Sequence, residues 1–408
     1  MTLIVQKYGG TSVGSIDKIR AVAKRVGDAR DAGHEVIVVL SAMAGETDRL
    51  QDLGSSISAR PAPEEMDVLL AAGEQASIAL LAMALKDLGH PSRSYLAHQV
   101  GIRTDADHQR ARIEQIDTAA LRESLAAGVT PVVAGFQGIE GSSGRLTTLG
   151  RGGSDTTAVA VAAAVEAHEC QICTDVDGVY TADPRIVADA RRLDHVTFEE
   201  MFELASLGSK VLHPRSVEFA GKYAVPLRVL SSFAAGGGTL ITVESDSMEQ
   251  PIVSGIAHAR DEAKITMSGV PDVPGVASKI LGPVGRAPID VDMIVQNTGA
   301  DGLTDFTFTV KRGDYARTLE LVQPVCSELG ARSVSGDDQI AKVSVVGVGM
   351  RSHAGVAMRV FDTLAAENIN IQMISTSEIK ISVVVAERYM ELAVRALHAA
   401  FELDEPKD

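Results

Sequence analysis

The chain has 408 residues, 45% hydrophobic and 23% charged, with a formal net charge of −16 at pH 7. That length favours two or three domains and can bury a sizeable core. The acidic balance excludes a nucleic-acid sleeve and an anionic-membrane binder, since either needs a clustered positive field.

Leu3–Lys7 and Val36–Ser41 are β-rich runs, and Ile16–Ala32 between them has helical periodicity. No secretory pattern opens the chain: Leu3-Ile4-Val5 is short and Lys7 follows at once, so a cytoplasmic location is expected. Glu64–Leu88 reads as a long helix, too interrupted by Glu74 and Gln75 to be taken as a membrane span. Pro131–Phe136 reads as a strand, Thr156–His168 as a helix and Gln171–Asp175 as a strand. Phe198–Leu207 and Pro214–Tyr223 read as helices, and Val225–Ser231 as a strand. This alternation predicts a three-layer αβα domain with a mostly parallel sheet. Ligands of such sheets sit beyond the carboxyl ends of the strands. Cys170 and Cys173 fall three apart on one strand, on opposite faces, and read as buried structural thiols.

Ala234-Ala235-Gly236-Gly237-Gly238 is a turning stretch and Glu244–Gln250 a polar linker, which sets the main boundary near residue 250. An internal repeat follows. Gly275-Val276-Ala277 recurs as Gly355-Val356-Ala357, eighty positions on, and Ile289–Ile294 recurs as Ile369–Ile374 at the same offset. Each copy reads as a ferredoxin-like βαββαβ unit, with a final strand expected at its end. The domains are then 1–250, 251–338 and 339–408. A duplicated scaffold without ligand is one reading. The other is a ligand-sensing pair, whose turn glycines expose backbone groups suited to a free amino acid.

Lys7-Tyr8-Gly9-Gly10-Thr11-Ser12 is a strand ending in a cation, then two glycines and two hydroxyls. Glycines let backbone approach a phosphate, and helix-opening N–H groups attract anions. The spacing is not that of a Walker A loop. Gly150-Arg151-Gly152-Gly153-Ser154-Asp155-Thr156-Thr157 is a second Gly-rich turn entering a helix. Arg151 there suits a carboxylate, Ser154 and Thr156 supply hydroxyls, and Asp155 is a charged organiser. Thr174–Arg185 and Gly208–Pro214 add acids, an aromatic and further cations. Glu74 lies among Leu69, Leu70, Ile78 and Leu81, where a carboxylate wants a cation. His98, His108 and His213 lack metal-ligand spacing and read as exposed or capping.

These segments resemble the amino-acid kinase superfamily and, within it, the aspartate kinases. The K-F-G-G-T-S signature is matched except for Tyr8, and the segments Gly150–Thr157, Thr174–Arg185 and Gly208–Arg215 are similar to the family's. The likeness covers essentially the whole chain, because the repeat resembles paired ACT modules. It implies ATP-dependent phosphorylation of the side-chain carboxylate of L-aspartate, Mg²⁺ arriving with ATP and no dedicated protein metal site. By resemblance Lys7 would bridge the transferring phosphoryl group and Asp155 would hold Lys7 and the metal environment in place. The nucleotide would meet Lys7, Tyr8, Gly9, Gly10, Ser41, Ser154, Thr174, Asp175, Tyr180, Arg185, Lys210 and Val211. Aspartate would meet Thr47, Glu74, Arg151, Gly152, Gly153 and Ser154, with Glu74 on its ammonium and Arg151 on its α-carboxylate. Lysine and threonine are the implied effectors, at Asp272, Gly275, Ala277 and Gln296 in one module and Asn370 and Ile371 in the other. Ala354, where many relatives have Pro, departs from the pattern. A homodimer or larger assembly, joined chiefly beyond residue 250, is expected. Rival readings are a kinase of glutamate, N-acetylglutamate, carbamate or a nucleoside monophosphate, and a regulatory amino-acid-binding protein with a dead kinase domain.

Overall fold

The computed structural model describes residues 2–209, 211–244, 252–287, 289–299, 302–353 and 355–405. Lys210, Ala354 and the stretch 245–251 lie outside these described residues. The chain divides into two compact units. One comprises Met1–Val179, Arg192–Ser206 and Lys210–Met248, and the other Tyr180–Arg191, Leu207–Ser209 and Glu249–Asp408.

The first unit opens with β1 (Leu3–Tyr8), α1 (Ile16–Asp31) and β2 (Glu35–Leu40). Then come α2 (Glu46–Ile57), the long α3 (Pro63–Asp87) and β3 (Ser92–Tyr95). Next are β4 (Arg103–Thr104), β5 (Ile113–Gln115), α4 (Ala119–Ala126), β6 (Thr130–Ala134), β7 (Gln137–Glu140) and β8 (Leu146–Thr148). The unit closes with α5 (Gly153–Val165), β9 (Glu169–Thr174), β10 (His195–Thr197), α6 (Phe198–Ser206), α7 (Pro214–Tyr223), β11 (Leu227–Ser231) and β12 (Thr239–Thr242). Its main sheet has eight strands in the order β10-β12-β11-β9-β1-β2-β6-β3, parallel except at β11–β12.

The apolar run Val36–Leu40 is fully buried, as befits a central strand covered on both faces. Parity sorts the neighbouring strand. Ile4 and Tyr8 join Val36, Val38 and Leu40 in a core shared with Val22 and Val26 of α1 and Ile78 and Leu81 of α3. Lys7 therefore points to the opposite face, where Asp155 of α5 meets it. Because β1 lies between β9 and β2, the ends of three adjacent parallel strands converge at Lys7, Thr174 and Ser41. A smaller sheet, ordered β5-β4-β7-β8, leads through β8 into the Gly150 turn.

The helix expected over Thr156–His168 instead runs Gly153–Val165. It starts from Gly152 (φ 68°) and stops at Glu166 (φ 57°), both left-handed. The Gly-Ser-Asp of the motif is thus its first turn, whose N–H groups lack intrahelical acceptors.

The second unit contains β13 (Gly255–Pro271), α8 (Val276–Arg286), β14 (Val291–Thr298), β15 (Leu303–Val310) and α9 (Tyr315–Leu329). It continues with β16 (Ser333–Val346), α10 (Val356–Ala366), β17 (Met373–Thr376), β18 (Lys380–Ala386) and α11 (Met390–Ala400). All six strands form one antiparallel sheet, β14-β15-β13-β16-β18-β17. The repeat is visible in its caps: Gly275 (φ 89°) and Gly355 (φ 95°) start α8 and α10 alike.

The final strand expected in the second copy is corrected. No strand follows α11 among the described residues. The place beside β16 is taken by the start of β13, Gly255 opposite Val346 and Ala259 opposite Lys342. Beyond a bulge, Lys264–Ser268 pair with Ser333–Asp337 to complete the first copy. A strand of 17 residues is long enough to serve both modules. The segment Tyr180–Arg191 also packs here. Ala182 and Val187 share a core with Val253, Val394 and Leu397, and Thr181 Oγ1 lies 2.9 Å from His398 Nε2.

Candidate active site

Lys7 Nζ lies 2.5 Å from Asp155 Oδ1, with 11% and 13% of the two side chains exposed. A pair this dry presents a positioned cation rather than a solvated one. Gly9 and Gly10 follow it. A Cβ on Gly9 would come within 3.3 Å of Lys7 Nζ, and one on Gly10 within 3.0 Å of the Ala42 carbonyl oxygen. The glycines therefore keep open the space between the cation and the β2–α2 turn. Gly135, which the sequence reading missed, does the same at the end of β6: a Cβ there would sit 2.8 Å from Ser154 Cβ.

Glu74 is only 3% exposed. The Ala42 N–H donates to its Oε1 at 3.0 Å, and its Oε2 has no hydrogen-bond partner among the described residues. Burial lifts its pKa from 4.5 to about 7. A carboxylate held in this way invites a cation. Gly73 brings α3 close, since a Cβ there would meet Ala42 Cβ at 2.7 Å. Ser41 is half-buried and its N–H donates to Tyr8 O at 3.1 Å. Thr47 is half-buried in the first turn of α2.

Arg151 is exposed and has no ion-pair partner among the described residues. It sits between Gly150 (φ 74°) and Gly152 (φ 68°), with Gly153 and Ser154 buried at the start of α5. Gly152 packs on His213, whose Cβ would lie 2.3 Å from an added Cβ.

Other expected nucleotide residues are dispersed. The Tyr8 side chain is fully buried and its hydroxyl donates to Gln6 Oε1 at 3.2 Å, so only its backbone remains for a ligand. Thr174 ends β9 and donates to Asp175 Oδ1 at 3.1 Å, while Asp175 is exposed and Val211 half-buried. Tyr180 and Arg185 belong to the segment that packs with the C-terminal unit. Arg185 is 84% exposed in its side chain and holds Asp183 at 2.7 Å, which lowers the Asp183 pKa.

In the C-terminal unit, Asp272 is exposed after β13, and Gly275 and Ala277 open α8. Gln296 is exposed on β14; exposed Asn370 and half-buried Ile371 precede β17. These two strands are the opposite edges of the sheet.

Of the histidines, His98 is exposed and His213 caps α7, accepting the Arg215 N–H at 3.3 Å. His108 is a correction: its Nδ1 lies 2.6 Å from Oδ2 of the fully buried Asp67. Asp67 is not among the residues singled out from the sequence, although it precedes Glu74 by seven residues on one apolar helix face and poses the same burial problem. Cys170 and Cys173 are free and buried, and Cys173 alone joins the Tyr8 core.

Residues 2–231 match the amino acid kinase family and 343–401 the ACT domain. Over 407 residues the chain is 64% identical to the aspartate kinase of Stutzerimonas stutzeri, spanning 100% of this chain and 98% of that one. The chain belongs to the aspartokinase family. Its structure resembles Escherichia coli aspartokinase III solved with aspartate and ADP, at TM-score 0.80 and 28% identity, covering 98% of this chain and 99% of that one. The same aspartokinase solved with lysine and aspartate aligns at TM-score 0.79, 28% identity and the same coverage. The chain is thus an aspartokinase in both sequence and fold, a parallel-sheet kinase domain followed by an ACT region.

Proposed function

We propose that this aspartokinase transfers the γ-phosphoryl group of ATP to the side-chain carboxylate of L-aspartate, giving 4-phospho-L-aspartate. One observation carries the reading: Ala42 touches both halves of the site. Its N–H holds Glu74 at 3.0 Å, and its carbonyl lines the space left by Gly10. A cation-seeking pocket and a phosphate-type turn therefore share one backbone residue. The relative solved with aspartate and ADP supports the same pairing of ligands.

The acceptor carboxylate is already ionised at neutral pH, so no general base is needed. Catalysis is charge neutralisation and alignment. Lys7 meets the transferring phosphoryl oxygens and Asp155 keeps its ammonium aimed. The N–H groups of Ser154 and Asp155 at the α5 terminus add positive potential, while that of Gly153 donates to Gly150 O at 3.0 Å within the turn. Glu74 takes the substrate ammonium and Arg151 its α-carboxylate, a donor fork suited to that group. Mg²⁺ fits as an ion carried by the nucleotide, with Asp155 the carboxylate at hand, because such ions keep phosphate and water ligands. When bound it would neutralise phosphate charge. Thr47, Ser41, Thr174, Asp175, Tyr180, Arg185 and Lys210 complete the proposed ligand contacts.

Regulation is assigned to the C-terminal modules, with lysine and threonine as effectors at Asp272, Gly275, Ala277, Gln296, Asn370 and Ile371. The relative solved with lysine supports one of the two. The unpaired edges β14 and β17 support a homodimer or larger assembly. The reaction would open the route to lysine, threonine and methionine in the cytoplasm. The test is to incubate the protein with ATP, Mg²⁺, aspartate and hydroxylamine. An aspartyl hydroxamate is expected. Its absence, or an equal yield from glutamate, overturns the assignment.

A further inference from the structure

The turn carrying Arg151 contains two left-handed glycines, is closed by the Gly153 N–H donating to Gly150 O at 3.0 Å, and makes no ion pair among the described residues, so its placement depends on neighbouring segments. Two buried or half-buried charged residues do. Asp67 of α3 is fully buried, and both its oxygens are used. Thr148 Oγ1 donates to Oδ1 at 2.6 Å, the Gln109 N–H donates to Oδ1 at 3.1 Å, and His108 Nδ1 lies 2.6 Å from Oδ2. Thr148 is two residues before Gly150. Gln109, itself at φ 67°, places its carbonyl oxygen 2.8 Å from where a Gly150 Cβ would be. Asp67 therefore grips the turn from below through β8 and from the side through Gln109.

Arg215 of α7 supplies the second grip. Its Nη1 donates to Leu149 O at 2.7 Å and its Nη2 to Ala111 O at 2.8 Å. Ala111 is itself bonded to β8, its N–H donating to Thr148 O at 3.0 Å. One guanidinium thus ties the residue before Gly150 to the loop that Asp67 holds. Only a planar fork spans two carbonyls in this way.

Asp67 shares α3 with Glu74. A rigid helix joins the group that would receive the substrate ammonium to the group anchoring the turn that would receive its α-carboxylate. We propose that Asp67 and Arg215 are positioning residues that set the Glu74-to-Arg151 spacing and so select an α-amino acid. The proposal rests on the reading that Arg151 and Glu74 bind the acceptor. A misplacement of about 1 Å is enough to change such a site by roughly 10²-fold.

The test uses the full-length chain with Asp67→Asn, Arg215→Lys and Arg151→Ala, alone and combined. Asp67→Asn and Arg215→Lys are each expected to raise KM for aspartate about 10-fold or more, with KM for ATP within about twofold. Combined with Arg151→Ala, each should add less than about twofold further, since they act through that residue. A purely structural role would lower only the active fraction and thermal midpoint and leave KM for aspartate unchanged, whereas a role independent of Arg151 would raise that KM and multiply fully with the Arg151→Ala effect. Either result overturns the proposal. If Asp67→Asn does not accumulate folded, Thr148→Val removes only the hydroxyl and is judged by the same criteria. If Arg151→Ala itself leaves KM for aspartate unchanged, the acceptor reading fails. If Arg151→Ala raises it and the other variants do not, only the positioning inference fails.

Discussion

The Ala42 N–H donates to one carboxylate oxygen of Glu74 at 3.0 Å and leaves the other bare. The same residue's carbonyl oxygen stands 3.0 Å from where a side chain on Gly10 would begin. Most of the expected behaviour of the site follows from that junction.

Glu74 makes the ligand-free protein less stable as pH rises. Burial holds its pKa at about 7 against 4.5. Between those values the native chain keeps a proton that the unfolded chain has lost. The stability linked to that proton is full below the lower value and is lost as pH rises through about 7. Urea unfolding at pH 5 and pH 8 should show a decline that Glu74→Gln lacks, with a difference on the order of 3 kcal/mol. Identical pH dependences in the two proteins would refute this.

The same titration should govern substrate capture. Protonated Glu74 cannot attract an ammonium, so KM for aspartate should climb as pH falls below about 7. Glu74→Gln should show a high KM that is flat across the range, while KM for ATP hardly moves in either protein. Initial rates from pH 5.5 to 8.5 decide the matter. A wild-type profile as flat as the mutant's would count against Glu74 as the ammonium partner.

Lys7 should matter at the chemical step. Lys7→Ala is expected to lower kcat by roughly 10²-fold or more, the scale of a lost electrostatic stabiliser. Asp155→Asn leaves the Lys7 ammonium without its partner at 2.5 Å and should also act mainly on kcat. Steady-state kinetics would contradict both roles if turnover survived and only the ATP requirement rose.

Gly10→Ala should disturb both substrates together. The new methyl must displace the Ala42 carbonyl, and Ala42 also anchors Glu74. KM for ATP and KM for aspartate should rise in parallel, and stability should fall by about 1–3 kcal/mol. Gly33→Ala is a poor control, because Gly33 has φ 88°, where the substituted alanine would be strained for a separate reason. Gly141→Ala, with nothing within 4 Å of an added Cβ, is the better one. A rise in one KM alone would separate the two halves of the site.

Gln296 lies exposed on the edge strand β14. Threonine and lysine together should inhibit more than either alone. Gln296→Ala should relieve that inhibition while leaving turnover without effector within about threefold, a change of roughly 0.65 kcal/mol. Initial rates titrated with threonine at fixed lysine test both. An insensitive wild type removes the sensor reading, and an unchanged mutant curve removes Gln296 from it.

The sequence by itself determined what is local. Periodicity located β1, β2, α1, α3 and α7 to within a residue or two, because burial on one face writes itself into the spacing of apolar residues. It also marked Lys7 as a strand-end cation and Glu74 as a carboxylate in apolar company. Only the tertiary structure decided what depends on distant segments meeting. Parity along β1 sends Lys7 to Asp155 and seals Tyr8 in the core, but which face carries α5 is a matter of topology. The strand beside β16 comes from Gly255–Ala259, some ninety positions earlier in the chain, rather than from its own repeat. Asp67 meets Thr148 across 81 positions, and Arg215 meets Ala111 across 104. No pattern within a window of a few turns encodes such pairings. They exist because closing long loops costs entropy that only the assembled sheet, burying its apolar faces, can offset.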